Sequence, residues 1–156
     1  MKFLRSVDSL SHSLAESQAR IFENSVASGL PSKKFIRSYM LSQEVKYIDD
    51  LNLDISGISE IELFNTISGK INKKEGELFS YPVMYYIGYF YRTASYLTGY
   101  SSATLYNYIK PCLLKNNYRT LHSLPIEDAI IEVFEINNIN IEDKYSEFKK
   151  LYKIEF

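Results

Sequence analysis

Hydrophobic and polar positions repeat at helical spacing along nearly all of this chain. From about Ser6 to Ser28, Val7, Leu10, Leu14 and Ile21 fall on one helical face, with Ala15, Ala19, Phe22 and Val26 beside them. Gly29 followed by Pro31 stops that helix. Ser32 then offers a cap for a second helix, whose Phe35, Ile36, Tyr39, Met40, Tyr47, Ile48 and Leu51 make one continuous apolar face. Asn52 to Gly57 interrupts the pattern. Ser59 and Glu62 have the spacing of a capping box, and a short helix follows through Ile61, Phe64, Ile67 and Ile71. Asn72 to Glu77 is a charged loop.

The next stretch, Leu78 to Ile109, has Arg92 as its only charged residue and holds most of the tyrosines. Tyr81, Tyr85 and Tyr89 stack at i,i+4 spacing, and Arg92 and Tyr96 continue that row. Ile87, Phe90, Ala94 and Leu97 fill a neighbouring row, extended by Val83 and Met84. With no charged face, the pattern predicts a helix enclosed on nearly all sides. Gly88 costs about 1 kcal/mol of helix propensity relative to Ala, which predicts another backbone close against it. Ser80 and Pro82 start this helix and Gly99 ends it. Ser101 or Ser102 caps the next, which runs to about Ile109, and Pro111 opens a short helix to about Asn116. Beyond a Tyr118-to-Ser123 connection, Pro125 starts a helix carrying Ile126, Ala129, Ile130, Val133 and Phe134. Asn137 to Ile141 breaks it, and Glu142 to Tyr152 forms a last amphipathic helix. No convincing β alternation is present. The expected fold is an all-α bundle of about seven or eight helices around the Tyr-rich helix. It forms one domain over residues 1–156, with an N-terminal helix to residue 30, a core over 31–136 and a C-terminal helix or tail over 137–156.

Composition adjusts this picture in three places. Fourteen Tyr and 9 Phe without Trp mean an aromatic core whose buried hydroxyls need partners. A formal net charge of −1 argues against nucleic-acid binding by bulk electrostatics. Cys112, the single cysteine, excludes an internal disulfide and a cysteine metal cluster, and no metal or cofactor is expected. The N-terminus lacks the apolar run of a signal peptide, and the Tyr-rich helix is too polar to span a bilayer. A cytoplasmic protein without membrane association is expected.

The segment Ala94 to Ile109 resembles a helix-turn-helix: a small residue, a turn glycine, a hydrophobe, then a helix with an apolar residue at the right offset. Its second helix would offer Ser101, Ser102, Thr104 and Asn107 to DNA, without any Lys or Arg for phosphates, so DNA is disfavoured as a partner. Arg92 must be paired, because an unpaired buried charge is costly. It is either a structural guanidinium held by helix C-terminal carbonyls or by a carboxylate such as Asp49 or Asp50, or an anion-binding or partner-binding residue at the mouth of a Tyr-lined groove. Lys33, Lys34 and Arg37 are either a solvated face or a basic patch for an acidic partner. His122 precedes a helix start with no nucleophile nearby in sequence, and His12 lies on the polar side of the first helix. No phosphate loop, paired-His spacing or hydrolase elbow occurs. Catalysis is not expected; an enzyme would need Arg92 and His122 to converge in one pocket.

The runs Tyr86-Ile87-Gly88-Tyr89-Phe90-Tyr91-Arg92, Ser101-Ser102, Leu105-Tyr106 and Ile109-Lys110-Pro111, with Tyr118, His122 and Phe35 to Met40, resemble a family of small uncharacterised proteins of low-GC Gram-positive bacteria. The resemblance covers roughly residues 30 to 136. It associates the chain with toxin–antitoxin-like gene clusters, often beside a protein resembling an ADP-ribosyltransferase, and so implies a protein partner. Leu113 stands where the family tends to carry a carboxylate, and Leu124-Pro125 replaces its acidic helix cap. The expected function is a protein-interaction module, antitoxin-like or accessory, that binds a cognate toxin-like protein. Tyr85, Tyr89, Arg92, Tyr96, Tyr106 and His122 are the candidate contact residues. The alternative is a helix-turn-helix regulator using residues 94–109.

Overall fold

Helix start and stop signals dominate the architecture. The computed structural model describes residues 3–51, 59–72 and 75–140. Among them the chain forms nine α-helices and no strand. These are α1 (Ser9–Ala27), α2 (Ser32–Met40), α3 (Gln43–Asp49), α4 (Glu60–Ser68), α5 (Tyr81–Thr98), α6 (Ser102–Tyr108), α7 (Pro111–Asn116), α8 (Tyr118–Leu121) and α9 (Ile126–Ile136). The expected helix over Glu142–Tyr152 and the break at Asn52–Gly57 lie outside the described residues.

The all-α expectation holds, and two local corrections set the helix count. The second expected helix is two helices. Ser42 ends one by donating to the Tyr39 carbonyl at 2.8 Å and starts the other by accepting from the Val45 amide at 3.2 Å. The apolar face that looked continuous therefore restarts, which leaves Leu41 and Tyr47 exposed. The Tyr118–Ser123 connection contains α8, a single turn. Ser32 does not cap α2, which follows Pro31. Its hydroxyl accepts instead from the Phe79 amide at 2.8 Å and anchors the lead-in to α5.

α1 starts at an Asp8–Ser11 capping box, with bonds of 2.8 and 2.9 Å, and stops before Gly29 at φ 72°. α5 starts at Ser80 with Pro82 in its first turn and stops at Gly99, φ 79°. These two helices form the most extensive pair in the fold; α2 and α4 pack beside α1, and α6, α7 and α9 against α5. Their crossing is close because Gly88 has no side chain. A Cβ there would lie 2.9 Å from Phe22 Cγ and 3.0 Å from both Ala19 Cα and Gln18 O. Residues 3–8 close the other end of α5, where the Leu4 and Arg5 amides both donate to the Leu97 carbonyl, at 2.8 and 3.1 Å.

α5 is enclosed over only part of its length. Every residue from Phe90 to Thr98 is buried. In the N-terminal half, Tyr81, Tyr85 and Tyr89 form a row left partly open, with Pro82, Val83 and Tyr86 beside it. Beneath them runs an aromatic core. Phe22 meets Phe35 and Tyr39 edge-on at ring separations of 5.6 and 4.9 Å.

Candidate binding groove

The open tyrosine row becomes one wall of a groove. α5 contributes Tyr81, Pro82, Tyr85, Tyr86 and Tyr89, and α1 contributes Glu23. The far side consists of Tyr118, His122, Leu124 and Ile126, from α8, its connection to α9 and the first residue of α9. The cavity measures about 560 Å³, the size of an ordinary ligand or side-chain pocket. Four helices from three separate stretches of the sequence thus converge on a surface with five tyrosines.

Hydrogen bonds and ring contacts hold the walls. His12 Nδ1 lies 2.8 Å from the Tyr89 hydroxyl, and its Nε2 lies 2.7 Å from Glu16 Oε1. A carboxylate at Nε2 requires the proton there, so in the neutral imidazole Nδ1 accepts from the Tyr89 phenol. On the opposite wall His122 stacks on Tyr118 at 4.4 Å, with 11° between the rings. Its Nδ1 lies 2.8 Å from the Tyr118 carbonyl, which can only accept, so the Nδ1 position carries the proton. Tyr118 in turn meets Tyr86 edge-on at 5.6 Å. Burial raises the Tyr85, Tyr86 and Tyr89 hydroxyls above their ordinary value, and Glu16 adds to the rise at Tyr85 and Tyr89. All three are neutral donors at physiological pH. The Tyr86 hydroxyl is buried and has no hydrogen-bond partner among the described residues.

Three of the expected contact residues come together here: Tyr85, Tyr89 and His122. The other three do not, and this corrects the expected ridge. Arg92 is 2% exposed. Its Nη1 donates to Asp49 Oδ1 at 2.8 Å, its Nε to Gln18 Oε1 at 3.0 Å and its Nη2 to Ser102 Oγ at 3.2 Å. Tyr96 is buried, donates to Asp8 at 2.9 Å and carries Arg5 over its ring at 5.3 Å. Tyr106 lies on α6, with Lys110 over its ring at 4.5 Å. The α5 row turns inward past Tyr89 because the second half of the helix is surrounded. Arg92 and His122 therefore do not converge in one pocket among the described residues.

The helix-turn-helix candidates are also placed. Asn107 is exposed, whereas Ser102 is 1% exposed at the start of α6. Asp49 accepts from its amide at 2.9 Å and from its hydroxyl at 2.6 Å. A carboxylate thus occupies the helix end that a recognition helix offers to DNA. Ser101 and Thr104 bond each other at 2.9 Å in the cap. In the α2 patch, Lys34 and Arg37 line a smaller hollow with Lys70, whose ammonium pairs with Glu44 at 3.0 Å.

Sequence reasoning missed Tyr86, Tyr118 and Glu23 as groove residues, and His12 as the support of Tyr89. Only Tyr81 had a signal, its place in the i,i+4 row. Among the described residues no three of His, Cys, Asp and Glu gather as a metal-ligand set, and no helix is long and apolar enough to cross a membrane. No protein family, curated protein or solved structure matches this chain.

Proposed function

We propose that the protein is a cytosolic interaction module, the antitoxin-like or accessory member of a toxin–antitoxin pair. It takes a projecting part of its cognate protein into the tyrosine groove. The observation that supports this reading is the groove itself: five tyrosines and a histidine around an open cavity of about 560 Å³. Tyrosine is among the residue types most enriched at binding hot spots, since it offers a large rigid apolar face with a polar tip. The kind of partner follows from the family resemblance of the sequence, and the lone cysteine suits a reducing compartment.

The test is co-expression with the neighbouring gene product and native mass determination of what co-purifies. A stoichiometric complex is expected, weakened about 30-fold or more by Tyr85→Ala or Tyr89→Ala, as for hot-spot residues. Both residues are partly exposed, so the variants should keep their helical circular dichroism. A chain that purifies alone, or a complex indifferent to both substitutions, counts against the proposal.

A further inference from the structure

Resting on that reading, we infer that the group the groove receives is a cationic side chain, a lysine ammonium or an arginine guanidinium presented by the partner polypeptide. Most of the lining residues are electron-rich or acceptor-bearing, and Pro82, Leu124 and Ile126 supply its aliphatic part. Five phenol rings offer negative π-faces. Glu23 stands in the wall with no hydrogen-bond or ion-pair partner among the described residues. His122 donates from Nδ1 to the Tyr118 carbonyl, so in its neutral form Nε2 presents a lone pair. Glu16 and Glu127 add negative potential at the Tyr89 hydroxyl.

No lysine or arginine lines the groove. The nearest guanidinium that acts on Tyr85 belongs to Arg20, and it is already committed to Glu60, with Nε 3.1 Å from Oε2. Elsewhere the protein pairs its aromatic rings with its own cations, as in Arg5 over Tyr96, Lys110 over Tyr106 and Lys115 over Phe79. The groove tyrosines carry no such pairing among the described residues. An apolar occupant would leave the Glu23 carboxylate covered and uncompensated, whereas a cation satisfies the carboxylate and the rings together. Charge complementarity therefore selects the occupant.

Three capped amino acids test this on the full chain: the N-acetyl methylamides of lysine, arginine and norleucine, the last a neutral analogue of similar length. Titration is followed by the ring resonances of Tyr85 and Tyr89. The lysine and arginine probes should shift them saturably, with norleucine weaker by about fivefold or more, the range of a partly desolvated cation–π contact. Glu23→Gln should weaken the lysine probe about threefold and leave norleucine unchanged. Equal binding of lysine and norleucine, or no saturable shift from either cationic probe, overturns the inference. In the co-purified complex, dependence on Tyr85 with indifference to Glu23→Gln overturns it and leaves the groove reading standing. Indifference to both substitutions removes the two together.

Discussion

Arg92 shows at the residue scale how a single charge can be organised by the fold. Its guanidinium ties α5 to Asp49 of α3, Gln18 of α1 and Ser102 of α6. Gln18 also accepts from the Tyr39 hydroxyl at 3.0 Å and donates to the Gly88 carbonyl at 2.9 Å, so five helices meet in one polar cluster. Breaking such a pair leaves the other charge buried without compensation. Arg92→Met is expected to cost about 3–5 kcal/mol in chemical denaturation, because Asp49 keeps only the Ser102 donors. Adding Asp49→Asn should recover part of that loss, since an amide needs no countercharge. A double variant as unstable as the single one would show that packing of the Arg92 stem dominates.

The α1–α5 crossing governs the element scale. Glycine in a helix interior is unfavourable, and here the cost is offset by letting the Gln18–Ala19–Phe22 surface of α1 reach the backbone of α5. Two of the three atoms that a Cβ would meet are backbone, so a rotamer change cannot relieve the clash. Gly88→Ala should destabilise the protein by about 1–3 kcal/mol despite the better helix propensity of alanine. Gly69 is the control. It follows α4 with ordinary helical dihedrals, and the nearest atom to a Cβ is 3.4 Å away. Gly69→Ala should be neutral or stabilise by up to about 1 kcal/mol. Equal thermal midpoints for the two variants would contradict this account of the crossing. The same crossing makes α1 the principal partner of α5, so residues 31–136 do not enclose the central helix by themselves.

For the whole molecule, the aromatic core sets the response to alkali. Burial raises the Tyr39 phenol to about 12, with Asp49 adding to the rise and Arg92 opposing it. Burial also holds Tyr91, which donates to the Ile109 carbonyl, well above 10. The unfolded chain ionises these phenols near 10, so their contribution to stability is intact below pH 10. It is lost as pH rises from 10 through the folded value. For Tyr39 the difference between 10 and about 12 amounts to roughly 3 kcal/mol above both values. The tyrosinate absorbance of the buried rings should therefore appear together with the loss of helical circular dichroism above pH 10. Complete tyrosinate formation with helicity intact would refute this.

Much of the fold was legible in the chain because its signals are local. Ser80, Ser101 and Ser59 each accept from an amide three residues on, Gly99 takes the left-handed turn, and Pro111 opens its helix. Each interaction spans a few residues, so spacing alone discloses it. Gly88 was legible for a related reason: its penalty implies a neighbour, though not which one. The break at Ser42 was overlooked because an apolar face on either side of a cap has the same period as an unbroken helix. The groove had no local signature beyond Tyr81, Tyr85 and Tyr89. Glu23, Tyr118 and His122 reach it only through the way α1 and α8 pack against α5. Sequence by itself determined most of the helices, the ends marked by local caps and the helix at their centre, through hydrogen bonds and steric limits within a few residues. Only the tertiary structure decided which tyrosines stay open, because exposure depends on neighbours that arrive from elsewhere in the chain.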